Sequence, residues 1–228
     1  DPRILIFNED NVAQTRDVMD FWRPNYSTTP YVNGLYSTQQ YLDCLKTTWD
    51  EYQKRHNLSL KDFVAYCFHL PYPKLALKGL NKIMDKSLPQ EQQDQLKENF
   101  EKSILYSQKV GNIYTGSLFL GLLSLLENSD NLKAGDKIAL FSYGSGAVAE
   151  IFSASLVPGY EKQLSQTRLE ELDLRQALSV EEYEHIFFAE AELDAEGNAS
   201  FSGYEDQSFA LAEIAEHQRK YIKVEKSS

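Results

Sequence analysis

"GNIYTGSLFLGLLSLLEN", residues 111–128, is the strongest indication of how this chain folds. After a polar start, the stretch is apolar on nearly every side when it is drawn as an α-helix. Such a helix is stable only where other layers of structure cover it. We therefore expect a central, buried helix in a layered domain.

Segments typical of strands and helices alternate around this helix. Predicted strands are 3–7, 62–70 and two within 136–157 that meet at a glycine turn; predicted helices are 37–57, 73–85, 91–110, 179–192 and 208–224; 8–34 is read as a loop. Repeats and low-complexity linkers are absent from the sequence. This alternation predicts an α/β fold.

The helix at 37–57 has the clearest amphipathic pattern. Ser37 is expected to cap its start. Its large apolar residues recur at helical spacing and should face the core: Tyr41, Leu45, Trp49 and Tyr52.

Composition excludes several classes of protein. The 228 residues are 42% hydrophobic and carry a net charge of −11, which disfavours general binding to nucleic acid or to an anionic membrane. No apolar run reaches the roughly 18 residues of a membrane span, and no leader opens the chain, so we expect a soluble, cytoplasmic protein. The absence of an initiator Met and the immediate strand predict part of a longer protein.

Two cysteines, Cys44 and Cys67, are too few for a disulfide scaffold. They have neither CxxC nor zinc-ligand spacing, so we expect reduced thiols and no metal site.

His69 ends the strand at 62–70, where open α/β sheets present groups to a ligand. A single histidine there is also compatible with a structural role. Lys74 and Lys78 follow on one face of the next helix, at i and i+4. They form either a solvated basic edge or a clamp for a polyanion whose reactive end meets the imidazole.

Two further stretches carry candidate polar groups. In "GNIYTGS", we expect the Asn112 amide to be buried near the end of the sheet, as a helix cap or as a donor to a substrate carbonyl. In "FSYGSGA", Gly144 and Gly146 flank Ser145 at a tight turn. The glycines match GxGxxA only formally, because a strand rather than a helix is predicted next.

Four motifs together resemble one family. "DFWRP", "FHLPYPKLALKGL", "GNIYTGSLFLGLLSLLE" and "IALFSYGSGAVAE" resemble, in order and spacing, the C-terminal portion of hydroxymethylglutaryl-CoA synthases, especially the bacterial form of the mevalonate pathway. The likeness is near-continuous to about Tyr160 and looser beyond. It implies the thiolase-like αβαβα fold, here mainly its C-terminal half. Residues 1–36 would end the N-terminal half and form a crossing loop, and 37–228 would be the second half with family-specific C-terminal helices.

The resemblance also implies an activity. The family condenses acetyl-CoA with acetoacetyl-CoA as a homodimer, through an acetyl-cysteine and without a metal or redox cofactor. His69 matches its catalytic histidine. Lys74 and Lys78 match basic positions that receive the phosphates of CoA. Asn112 and Ser145 match groups that hydrogen-bond the acyl substrate, and Asp20 matches an acidic residue that supports the site.

The nucleophilic cysteine and the glutamate acid/base of this family lie upstream of the segment that the chain resembles, so the segment alone is expected to be inactive. Cys67, on the same strand face as His69, is an alternative nucleophile, although apolar-strand cysteines usually pack in a core. Two other functions stay open: a non-catalytic acyl-CoA-binding or interaction module, and another condensing enzyme of the thiolase superfamily, such as a ketoacyl synthase.

Overall fold

The structure is a computed structural model that describes residues 2–204 and 208–224. The chain forms two compact units, Asp1–Leu174 and Arg175–Ser228. All six candidate site residues belong to the first unit.

The elements of the first unit agree largely with the sequence pattern. Its strands are β1 (Leu5–Phe7), β2 (Val12–Thr15), β3 (Phe21–Trp22), β4 (Tyr31–Val32), β5 (Ala65–Phe68), β6 (Lys137–Gly144) and β7 (Val148–Leu156). Its helices are α1 (Gly34–His56), α2 (Pro73–Ile83), α3 (Gln90–Val110), α4 (Gly116–Asn128) and α5 (Arg168–Asp173), with 3₁₀ turns at Leu60–Asp62 and Tyr160–Gln163. The predicted α/β class is confirmed.

A five-stranded mixed sheet organises this unit. Its order is β1-β7-β6-β5, and β2 pairs with β7 beside β1. Strands β5 and β6 are parallel, with Phe68 opposite Phe141, while β6 and β7 form an antiparallel hairpin. The carboxyl ends of β5 and β6 therefore lie side by side, which brings His69 next to the turn that follows β6.

Both faces of the sheet are covered by helices. Because side chains alternate along a strand, Tyr66 and Phe68 join the aromatic core under α1, α2 and α3, whereas Ala65 and Cys67 face α4. The α1 residues predicted to face the core are all buried: Tyr41, Leu45, Trp49 and Tyr52. This part of the chain thus has a helix–sheet–helix layering.

Helix α4 confirms the predicted central helix, with one difference. Its buried residues face the sheet and α3, and they include Leu118, Leu122 and Leu125. Phe119, however, is 47% exposed. The described residues therefore leave this face of the helix uncovered, and its burial against a further layer stays a prediction.

The segment 8–34 is not only a loop. Strand β2 within it pairs with β7 from Val12 opposite Ile151 to Thr15 opposite Val148, and β3 pairs with β4. Proline and glycine punctuation concealed these short strands. The predicted cap of α1 is also wrong: Asn33 accepts the Tyr36 N–H at 3.1 Å, and Ser37 lies within the first turn.

The second unit contains α6 (Val180–Phe187), β8 (Ala199–Ser200), β9 (Phe209–Ala215) and β10 (Gln218–Lys223). Helix α6 confirms the prediction for 179–192 over a shorter span. The helix predicted at 208–224 is wrong, because β9 and β10 form an antiparallel hairpin there. Its turn uses Glu216 and His217 at φ of 52° and 64°, without the glycine or asparagine that usually marks such a turn.

Two findings concern the described residues as a whole. None of their helices has the length and apolar content that crossing a membrane requires. No group of three or more His, Cys, Asp or Glu side chains among them is placed to hold a metal ion.

Candidate active site

A cleft of about 550 Å³ lies at the carboxyl ends of β5 and β6. Three of the predicted site residues line it together: His69, Asn112 and Ser145. They come from the end of β5, the loop before α4 and the β6–β7 turn, so the parallel pairing of β5 with β6 is what brings them to one place.

His69 is held at its backbone and at its ring. Its backbone N–H donates to the Phe141 carbonyl at 2.7 Å, and its backbone carbonyl accepts the Tyr41 hydroxyl at 2.9 Å. Its Nδ1 lies 2.9 Å from the hydroxyl oxygen of Ser117 on α4. Burial lowers the pKa of His69 below its usual value, because the charged form loses hydration. The imidazole is therefore neutral at physiological pH.

Asn112 lies in the cleft wall but is exposed, so the expected burial of its amide is wrong. It does not cap α4 either. Its Oδ1 accepts the Tyr114 N–H at 2.8 Å in a local turn, and Tyr114 adopts a φ of 53°. The turn uses the carbonyl end of the amide, which leaves the NH₂ group to donate elsewhere.

Asp20 supports the turn that carries Ser145. It is fully buried, and its oxygens accept the Tyr143 hydroxyl at 2.8 Å and the Gly146 N–H at 3.0 Å. Gly146 has a φ of 124°, where glycine is required, and nothing lies within 4 Å of the Cβ that a side chain would add. Asp20 itself is behind the cleft wall rather than in it.

The two lysines lie apart from His69. Lys74 lines a second groove, of about 460 Å³, between α2 and α3, together with Leu77 and Glu101. Tyr72 borders both this groove and the cleft. Lys78 is exposed one helical turn further along α2. The lysines thus share a helix face, as predicted, beside the cleft rather than inside it.

The cleft lining is mostly apolar, with polar groups but no charged side chain among its described residues. Among the described residues that line it, none carries a carboxylate, ammonium or guanidinium group. Its titratable groups are His69 and four phenols, those of Tyr41, Tyr72, Tyr114 and Tyr143. Burial raises the pKa of Cys67 to about 12 and keeps it a thiol, as expected of a packing residue.

Residues 6–95 and 79–221 match the sequence profile of the family described as "Hydroxymethylglutaryl-coenzyme A synthase C terminal". The chain belongs to the hydroxymethylglutaryl-CoA synthase family. A crystal structure of an HMG-CoA synthase complexed with CoA is 70% identical, superimposes with a TM-score of 0.93, and is matched over 98% of this chain and 58% of that one. The likeness confirms the family resemblance and the thiolase-like fold.

Two curated relatives show how far the similarity extends. The hydroxymethylglutaryl-CoA synthase of Enterococcus faecalis is 49% identical over 189 residues, which is 82% of this chain and 49% of that protein. The polyketide biosynthesis 3-hydroxy-3-methylglutaryl-ACP synthase of Bacillus subtilis (strain 168) is 32% identical over 223 residues, 90% of this chain and 52% of that protein. The chain therefore spans about half the length of these synthases.

Sequence reasoning missed several polar groups of the site. Ser117 contacts the ring of His69, and the Tyr41 hydroxyl holds its backbone, although Tyr41 had been assigned to the core alone. A serine in the first turn of an otherwise apolar helix was the one available signal for Ser117. Its partner is 48 residues away in sequence, which no local pattern reveals.

Proposed function

We propose that this chain is the second half of a hydroxymethylglutaryl-CoA synthase. The complete enzyme would condense acetyl-CoA and acetoacetyl-CoA with one water, giving 3-hydroxy-3-methylglutaryl-CoA and free CoA, as a step of the mevalonate pathway. The observation that carries the proposal is the meeting of His69, Asn112 and Ser145 in one cleft of a chain from this family.

Each polar group has a role that suits its environment. Neutral His69 binds the acetoacetyl group and exchanges protons near its thioester, which requires an imidazole that is not permanently charged. Asn112 and Ser145 donate to acyl oxygens, and such donors stabilise an oxyanion as it develops. Asp20 maintains the turn that carries Ser145.

Catalysis needs two groups that the described cleft residues do not supply. A condensation of this kind requires a nucleophile to carry the acetyl group and an acid/base to form its carbon nucleophile. The cleft lining offers neither a thiol nor a carboxylate. Both come, in this proposal, from an upstream half of the same protein, which also covers the exposed face of α4 at Phe119.

Lys74 and Lys78 are proposed to bind the phosphates of CoA. The groove that contains Lys74 meets the cleft at Tyr72, so a long thioester can have its acyl end beside His69 and its phosphates beside α2. Localised lysines are needed because the net charge of −11 repels polyanions at a distance.

The remaining assignments follow from the family. We propose that residues 1–36 close the first thiolase-like half and that 37–228 form the second, that the enzyme is a cytoplasmic homodimer, and that CoA thioesters are its substrates without a metal or redox cofactor.

A second candidate function is the same condensation on a carrier-protein thioester, which the 32% identity with the Bacillus subtilis synthase favours.

The deciding assay uses the full-length protein with acetyl-CoA and acetoacetyl-CoA. HMG-CoA should form, and His69→Ala should lower kcat by orders of magnitude while the melting temperature changes little. Turnover only with carrier-protein thioesters would favour the second candidate. Binding of CoA thioesters without any condensation would indicate a non-catalytic module.

A separate pair of variants tests the lysines. Changing Lys74 and Lys78 together to Ala should raise KM for CoA thioesters by about 3- to 30-fold, since each exposed charge contact contributes up to about 1 kcal/mol. Acyl-pantetheine, which lacks the terminal phosphates, should be unaffected. Lys54 and Lys61 form the charge-matched control, because both are exposed and lie at or just beyond the carboxyl end of α1. Equal losses with both substrates would indicate a packing role.

A further inference from the structure

The hydroxyl of Ser117 is the hydrogen-bond partner of the His69 ring. Ser117 is fully buried in the first turn of α4, and its oxygen lies 2.9 Å from Nδ1 of His69. The same oxygen accepts the Leu70 N–H at 2.9 Å. The serine therefore joins α4 to the end of β5 at the residue that the proposed function makes catalytic.

The hydrogen bonds of this serine determine where its own proton goes. A hydroxyl has one hydrogen and two lone pairs, and one lone pair is occupied by the Leu70 N–H. Among the described residues, the acceptor within reach of the Ser117 hydrogen is Nδ1 of His69. Donation to Nδ1 requires that this nitrogen be unprotonated, so that neutral His69 carries its proton on Nε2.

The surroundings favour the same neutral state. Burial disfavours the imidazolium, and the amino-terminal end of α4 has a positive partial charge that opposes a second positive charge beside it. No carboxylate is among the described residues that line the cleft to stabilise an imidazolium.

We infer that Ser117 is a positioning residue that fixes the tautomer of His69. The histidine then presents an N–H donor, rather than a lone pair, from its other ring nitrogen. Only the kinetic consequence rests on the proposed function: in that reaction, the Nε2–H donor polarises a substrate carbonyl oxygen. Ser117 acts through His69 and does not itself contact substrate.

NMR of the full-length protein, labelled with ¹⁵N-histidine, tests the tautomer without any need for activity. The His69 signal is assigned by its loss in His69→Gln, and the wild type should show a protonated Nε2 and an unprotonated Nδ1 at pH 8. Ser117→Ala should add a population with the proton on Nδ1, whereas Ser117→Thr, which keeps the hydroxyl, should retain the wild-type pattern.

Ser124→Ala is the matched control. Ser124 lies two turns further along α4, is equally buried, and bonds to the Lys102 carbonyl at 2.6 Å. Both alanine variants lose a buried hydroxyl, so their melting temperatures should fall by similar amounts, but the control should leave the His69 spectrum unchanged. Ser117→Ala alone should lower kcat by about 2- to 12-fold, the effect of one neutral hydrogen bond.

Two results overturn the inference. One is a wild-type His69 with its proton on Nδ1; the other is a folded Ser117→Ala variant with the wild-type histidine spectrum. Should Ser117→Ala not fold, the wild-type and Ser117→Thr spectra still decide the tautomer. A protein with the expected tautomer but no condensation activity would contradict the proposed function and leave this inference standing.

Discussion

Replacement of Asp20 tests how the turn that carries Ser145 is held. Asp20 is completely buried, and its two oxygens accept hydrogen bonds from the Tyr143 hydroxyl and the Gly146 N–H. The Ser37 hydroxyl, at 3.4 Å, is too distant to contribute much. Asp20→Ala removes both good acceptors, so the buried Tyr143 hydroxyl and the part-buried Gly146 N–H both lose their partner.

The cost can be worked from these contacts. A hydrogen bond to a charged group contributes about 1.5–3 kcal/mol, so Asp20→Ala should lower the free energy of unfolding by about 3–6 kcal/mol. Asp20→Asn has the same shape: its oxygen can accept from Gly146, and the Tyr143 hydroxyl can rotate to accept from its NH₂ group. Only charge assistance is then lost, about 1 kcal/mol for each of the two bonds.

Urea denaturation of the full-length protein measures these differences. Asp17→Ala, an exposed aspartate three residues earlier, is the control and should change the free energy of unfolding by no more than about 0.5 kcal/mol. Asp20→Ala should also lower kcat, because the Ser145 turn loses its support. A folded Asp20→Ala variant within 1 kcal/mol of the wild type would refute this account of the turn.

Three further predictions concern two cleft residues and the buried thiol of Cys67. Asn112→Ala should lower kcat by roughly 10²- to 10³-fold if it removes an oxyanion donor, with only a small fall in melting temperature; a large fall with normal turnover would make Asn112 structural. Because burial lowers the pKa of His69 in the folded state, the unfolded chain binds more protons just below pH 6.5, so stability should fall as the pH drops below about 6.5. Unfolding free energies measured from pH 7.5 to 5 should show this slope in the wild type and less of it in His69→Gln. Cys67, whose pKa is raised to about 12, should resist iodoacetamide at pH 8 until the protein unfolds, and rapid alkylation of the native protein would show that it is accessible.

Sequence patterns predicted the first unit well wherever burial of one face makes apolar residues recur at regular spacing. The core face of α1, the glycine turn between β6 and β7, and the position of His69 at the end of β5 all follow from local alternation or helical spacing. The convergence of His69, Asn112 and Ser145 had been suggested only by resemblance, because it depends on the parallel pairing of β5 and β6.

The errors have physical causes. The stretch 208–224 is rich in alanine, glutamate and leucine, which favour helix, and its hairpin turn at Glu216 and His217 lacks the usual turn residues. Val12–Thr15 is too short and polar to be recognised alone, and pairing with β7 makes it a strand. The exposure of Phe119 is a different case, because the layer expected to cover it is not among the described residues and its burial stays a prediction.

The identity of the acetylated residue tests the central claim most directly. The full-length protein is mixed with isotopically labelled acetyl-CoA without acetoacetyl-CoA, quenched in acid, digested and analysed by mass spectrometry. We predict a labelled thioester on a cysteine upstream of Asp1, with Cys44 and Cys67 unlabelled. Label on Cys67 would contradict the account and would make Cys67 and His69 the catalytic pair.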